Sequence, residues 1–172
     1  MSGEYIMNEL QTLFEQVTKE ASDTEKGLLT DFLLGLQHKR QGTAPTYLNA
    51  TFQMDTRYED NHCIVTLPVT PLIYNSFDMP HGGVIATLVD NAMGFLVNKD
   101  LHAEGKGAVT TNMTIHYIKA SSEKQLIATS TYLHKGRQTL VMECTVTQPD
   151  GKKIAYATGS FFVITPTSNS LK

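Results

Sequence analysis

Between His81 and Lys99 the chain carries one charged side chain, Asp90, inside the apolar run PHGGVIATLVDNAMGFLVN (residues 80–98). A carboxylate in such a setting is costly to bury alone, because an unpaired charge loses its hydration. Ahead of it, Gly82 and Gly83 have no side chains, so their amide N–H groups can come close to a ligand. The first-turn amides of any helix lack internal partners. An open helix N-terminus is therefore a site for an anion, or for an oxygen that gains negative charge during a reaction. N–H donors at a helix start and a lone acid farther along the same helix are the chemical features this chain offers.

The helix itself is read from Pro80 and the unbroken apolar side chains after it. Val84, Ile85, Leu88, Val89, Met93, Phe95, Leu96 and Val97 do not keep to one stripe, so burial on most sides is expected. Upstream, Ile6, Leu10, Leu13, Phe14 and Val17 fall at helical spacing over residues 4–20. Ser22 and Glu25 form a capping-box pattern for a second helix. That helix carries Leu28, Leu29, Phe32, Leu33 and Leu36, then Lys39, Arg40 and Gly42 as an end signal. Strands are expected over 47–56 and 62–70, joined by a turn at Glu59-Asp60-Asn61. A proline-bounded loop from Pro71 to Pro80 holds Asn75 and leads into the central helix. Beyond a turn at Gly105 and Gly107 come four strand-like runs, 108–118, 124–134, 138–148 and 152–164, at hairpin spacing. Ala155, Ala157 and Gly159 share one face of the last run, where small residues let a sheet approach a helix closely. The expected architecture is α+β, an antiparallel sheet curled around one long helix. A helical arm (1–42), a main domain (43–166) and a polar tail (167–172) make up the chain.

A chain of 172 residues with net charge −3 suits one domain with a real core and argues against a nucleic-acid partner. Residues 1–98 carry 5 basic and 12 acidic side chains, and residues 99–172 carry 9 and 5. The basic half, including Lys119, Lys135, Arg137, Lys152 and Lys153, either meets a phosphate-bearing ligand or forms solvated strand ends and turns. Cys63 and Cys144 are read as buried reduced thiols rather than a disulfide. His62, His102, His116 and His134 show no ligand spacing, so no metal and no cofactor is expected. With no leader pattern and no apolar run that could span a bilayer, the expectation is a cytoplasmic protein without a membrane partner.

The runs NSFDMPHGGVIATLVDNA (75–92) and GAVTTNMTIHYIKA (107–120) resemble the hotdog-fold acyl-CoA thioesterases. Within them the likeness is to the phenylacetate-pathway (PaaI-type) branch of the 4-hydroxybenzoyl-CoA thioesterase superfamily. It covers roughly residues 47–165 and rests above all on His-Gly-Gly with an Asp eight positions after the first Gly. The resemblance implies hydrolysis of an aryl- or medium-chain acyl-CoA, and a homodimer or a tetramer built as a dimer of hotdog dimers. By the same likeness Asp90 matches the catalytic carboxylate and Gly82 the carbonyl-polarising amide. Asn75 matches a loop amide that orients substrate or water, and Thr110 a hydroxyl that positions the water.

Thioester hydrolysis needs one group to polarise the carbonyl and another to attack it or to activate water. Eight helical residues separate Gly82 from Asp90 by ~12 Å, too far for both to reach one thioester carbon. A two-fold pair of antiparallel helices would bring Gly82 of one chain beside Asp90 of the other. Thr110 poses a difficulty. Val109, Met113, Ile115 and Tyr117 form the apolar face of their strand, so Thr110 belongs to the opposite, polar set. It must then reach the site from a partner chain or near a twist. His81 is read as orienting the loop by hydrogen bonds, in preference to acting as a general acid. Each assignment has a plain alternative: Asp90 as a structural acid, Gly82 and Gly83 as a tight turn, Asn75 as a turn residue. Lys135, Gly136 and Arg137 either cradle CoA phosphates together with Gly83 as binding groups, or make an ordinary hairpin turn. Phe95, Met93 and Tyr74 are candidates to line an acyl pocket. Competing functions are a non-catalytic acyl-CoA-binding module and a hotdog dehydratase or hydratase. A buried acid has no use in a pure binder, and His81 stands directly against the glycines rather than at dehydratase spacing.

Overall fold

The structure is a computed structural model that describes residues 3–165. The expected tail, 167–172, lies outside the described residues. The chain divides into two compact units, Met1–Phe52 and Gln53–Lys172.

The first unit is helical: α1 (Gly3–Glu20), α2 (Asp23–Arg40) and α3 (Tyr47–Thr51). The apolar face of α1 is exposed at Ile6, Leu10, Leu13, Phe14 and Val17. The start of α2 is a complete capping box. Glu25 N–H donates to Ser22 Oγ at 3.3 Å, and Ser22 N–H donates to Glu25 Oε2 at 2.7 Å. The hydrogen bond from the Ser22 side chain, with that from its backbone, holds the Glu25 carboxyl below the usual range. Three basic residues occupy the last turn of α2, where they face the negative end of the helix dipole. The strand expected at 47–56 does not form there. Thr46 instead caps α3, accepting from Asn49 N–H at 3.1 Å. α3 packs tightly on α2, so that a Cβ placed on Gly35 would lie 2.5 Å from the Ala50 carbonyl oxygen. A local cap and a close helix contact override the β-leaning composition.

The second unit contains β1 (Asp55–Glu59), β2 (His62–Pro68), α4 (Gly82–His102), β3 (Gly107–Tyr117), β4 (Gln125–Lys135), β5 (Thr139–Thr147) and β6 (Lys153–Ile164). The six strands form one antiparallel curled sheet in the order β1-β2-β4-β5-β6-β3. The Glu59-to-Asn61 turn closes β1 on β2 with Asp60 at φ 50°. α4 packs against strands β2 to β6. Ile85, Leu88, Val89, Ala92, Met93, Leu96, Val97 and Leu101 are buried in that contact. Ala155, Ala157 and Gly159 are buried opposite the helix, and a Cβ on Gly159 would lie 2.8 Å from Met93 Cε. The small residues thus admit the Met93 side chain.

α4 is not buried on most sides. Gly83, Thr87, Asp90, Asn91, Gly94 and Asn98 stay half-buried or exposed. Their three- and four-residue steps place them along one face, a polar and small-residue stripe that the expected all-round apolar reading overlooked. The sheet ends on that side at β3, which pairs with β6 along one edge only.

Candidate active site

His81 is the N-cap residue of α4, with extended backbone. Its N–H donates to the Ile73 carbonyl at 2.8 Å, which holds the helix start against the preceding 3-10 turn, Pro71–Ile73. Its Nδ1 accepts from Gly83 N–H at 2.9 Å. Val84 and Ile85 donate to the His81 carbonyl at 2.9 and 3.1 Å. Of the two glycine amides expected to be open, Gly83 is therefore taken up within the chain. Among the described residues nothing accepts from the Gly82 N–H.

The loop before the helix is folded by Asn75. Its Oδ1 accepts from Phe77 N–H at 2.8 Å and Met79 N–H at 3.3 Å, while its N–H donates to the Met79 carbonyl at 2.8 Å. That is the turn role. The same residue lines a cavity of about 340 Å³ with Met79, Gly82, Ile85 and Tyr117, so it also stands beside the open amide. Tyr117 was not among the expected site residues. Its hydroxyl donates to the Gly82 carbonyl at 2.9 Å. The apolar alternation of its strand marked it as core, and no spacing signal distinguished it.

Asp90 is half-buried on the open stripe of α4. Thr110 Oγ1 donates to its Oδ1 at 2.7 Å. The alternation that set Thr110 on the wrong face is broken by a β-bulge. Thr110 pairs with Phe161 but Asn112 pairs with Ser160, leaving Thr111 as the extra residue. Thr110 therefore shares the helix-facing side with Met113, Ile115 and Tyr117, which pair with Gly159, Ala157 and Ala155. No partner chain is needed for this contact. Asp90, Asn91, Phe95, Val109, Thr110 and Phe161 line a second cavity, of about 300 Å³. The two cavities have no lining residue in common. Thus the chain brings together Asp90 with Thr110, and Gly82 with His81, Asn75 and Tyr117, but not the two groups with each other.

The Lys135-Gly136-Arg137 segment lies elsewhere. Lys135 Nζ meets Asp100 Oδ2 at 2.6 Å, at the C-terminal end of α4 and so opposite to Gly82. Gly136 serves the hairpin, since a Cβ there would be 2.7 Å from the Thr139 carbonyl oxygen. Met93 is fully buried core, Phe95 lines the Asp90 cavity, and Tyr74 is exposed and bridges to Pro80. Cys63 and Cys144 are free and buried, and desolvation pushes both thiols up to about 12. Neither supplies a thiolate nucleophile near neutral pH. Among the described residues no group of three or more His, Cys, Asp or Glu is placed to hold a metal ion. No described helix is long and apolar enough to cross a membrane.

A curled antiparallel sheet around a single long helix, with an open amide at the helix start and a carboxylate on its free stripe, defines a hotdog-fold protein. Residues 79–155 match the Thioesterase superfamily, a span that contains His81, Gly82, Asp90, Thr110 and Tyr117. The acyl-coenzyme A thioesterase PaaI of Escherichia coli is 28% identical over 102 residues, covering 59% of this chain and 70% of that protein. Among solved structures, the BH2602 protein from Bacillus halodurans, determined with CoA, is 37% identical with a TM-score of 0.81. The match covers 89% of this chain and 99% of that one. This share exceeds what residues 53–172 make up, so the likeness extends into the helical unit, further than the 47–165 expected. The smu.793 protein from Streptococcus mutans, bound to acetyl CoA, is 33% identical with a TM-score of 0.58 over 64% of this chain and 88% of that one. The chain belongs to the thioesterase superfamily.

Proposed function

We propose that this protein hydrolyses an aryl- or medium-chain acyl-CoA to the free acid and CoA. The observation that carries the reading is the unpartnered Gly82 N–H, opening beside a cavity at the start of α4, in a chain of this superfamily. An N–H there stabilises the oxyanion that forms as the thioester carbonyl is attacked. Asp90, oriented by Thr110, either attacks the carbonyl carbon itself or takes a proton from the attacking water. In both routes the C–S bond breaks and CoA leaves as thiolate and is protonated. Where Asp90 attacks, the acyl–Asp90 anhydride so formed is then hydrolysed by water, which regenerates the carboxylate and releases the acid. Asn75 lines the acyl-carbonyl cavity as an orienting amide, and His81 holds the helix start.

Gly82 and Asp90 act on one substrate when they come from two chains. The reading therefore includes a homodimer with antiparallel α4 helices, or a tetramer of such dimers. Three features support it: the ~12 Å between the two groups along one helix, the uncovered polar stripe of α4, and the open edge of β3. In that arrangement the C-terminal end of α4 and the Lys135-to-Arg137 hairpin extend beyond the partner's helix start, where Lys135 and Arg137 can meet CoA phosphates.

The test is thiol release from a panel of aryl- and straight-chain acyl-CoAs, with wild type compared to Asp90→Asn and binding measured in parallel. Turnover should fall by ~10²–10⁴, the range for removing a general base, with affinity for the CoA ester kept. If wild type binds CoA esters and hydrolyses none, the protein is a binding module and the enzyme reading fails.

A further inference from the structure

We infer that Tyr117 is the residue that positions the Gly82 N–H, acting through the peptide between Gly82 and Gly83. In its kinetic consequence this rests on the thioesterase reading above. Two adjacent glycines at a helix start are a poor way to fix a donor, since each gives up more backbone freedom than any other residue. Helix ends also fray. Here that peptide is gripped at both ends. Its carbonyl accepts from the Tyr117 hydroxyl at 2.9 Å, and its N–H donates to His81 Nδ1 at 2.9 Å. Hydrogen bonds joined through one peptide polarise and strengthen each other. Because Nδ1 accepts, the neutral His81 ring carries its hydrogen on Nε2.

The grip is anchored in the sheet. Tyr117 is the last residue of β3 and pairs with Ala155 of β6, so its backbone is fixed by a paired strand rather than by a loop. The ring lies against Gly82, with its atoms 3.5 to 3.6 Å from where a Cβ would stand. With the following peptide locked in this way, the first-turn amide of α4 left without an acceptor among the described residues is that of Gly82, on the cavity that Tyr117 and Asn75 also line. Tyr117 fixes the donor without touching the carbonyl it polarises.

The experiment uses the full-length protein with Tyr117→Phe, which keeps the ring and removes the hydroxyl. Amide hydrogen exchange, followed residue by residue, should be on the order of tenfold faster at Gly83 and unchanged at Leu96, as expected for the loss of one supporting hydrogen bond. On whichever ester wild type hydrolyses best, kcat should fall about tenfold, with KM within about twofold and the melting temperature unchanged. Unaltered exchange at Gly83 overturns the inference. So does unaltered kcat, or a rise in KM alone, which would make Tyr117 only a cavity wall. Should wild type hydrolyse no ester, the functional reading falls by itself and the exchange result alone decides the grip.

Discussion

Thr110 meets Asp90 at 2.7 Å because the strand changes parity at the next residue. The carboxylate has two oxygens and this hydroxyl holds one of them; in the proposed mechanism the other is the one that meets the reacting carbon or water. A hydrogen bond to a charged acceptor is worth roughly 1.5–3 kcal/mol. Thr110→Val keeps the shape of the side chain and removes that donor, so kcat for thiol release should fall about ten- to a hundredfold. Thr110→Ser, which retains the hydroxyl, should stay within a few-fold of wild type. A Thr110→Val protein that turns over like wild type would show that Asp90 needs no orienting partner. Burial pushes the Cys63 and Cys144 thiols up to about 12, so neither supplies a thiolate near neutral pH, and the proposed mechanism assigns the acid–base role to Asp90.

Glycines in one helix show how packing, not composition, decides an element. A Cβ added at Gly27 in α2 would have nothing within 4 Å, whereas one at Gly35 would lie 2.5 Å from the Ala50 carbonyl oxygen. Helix propensity favours alanine by about 1 kcal/mol at either site. Gly27→Ala should therefore stabilise the helical unit by about 0.5–1 kcal/mol. Gly35→Ala should destabilise it, because overpacking against backbone costs about 1–3 kcal/mol. Denaturant melts monitored by circular dichroism would separate the two signs, and a stabilising Gly35→Ala would mean that α3 does not dock on α2 as closely as found. The same contrast explains what the sequence disclosed. The limits of α2 were legible because Ser22, Glu25 and the basic last turn are local signals. The sheet was legible from alternation, and the helix start and Asp90 from their residue types. α3 was not, since its formation depends on Thr46 capping and on the bare surface of Gly35. The bulge at Thr111 was hidden as well, because threonines on both sides of the break fit either face. Tyr117 read as core because an apolar face and a site wall look alike in a strand.

At the scale of the whole molecule the question is whether one chain holds a complete site. His81 has φ −66° and ψ 135°, the conformation a residue before proline adopts, and Gly82 is the first helical position, where proline is well tolerated. Gly82→Pro therefore removes the open N–H while sparing the helix, and a Cβ there meets Tyr117 only at ordinary contact distance, 3.5 Å. Alone, Gly82→Pro and Asp90→Asn should each be nearly inactive. If the site is shared across a two-fold dimer, a chain with Gly82→Pro still supplies Asp90, and a chain with Asp90→Asn still supplies Gly82. A mixed dimer then contains one intact site and one doubly damaged site. Random re-association of equal amounts, after reversible dissociation, should restore about a quarter of wild-type turnover, since half of the dimers are mixed and each has one working site of two. A site complete within one chain gives no recovery at any mixing ratio. Recovery near a quarter would assign the donor and the acid to opposite chains, which the ~12 Å between them along α4 requires if both are to act on one thioester.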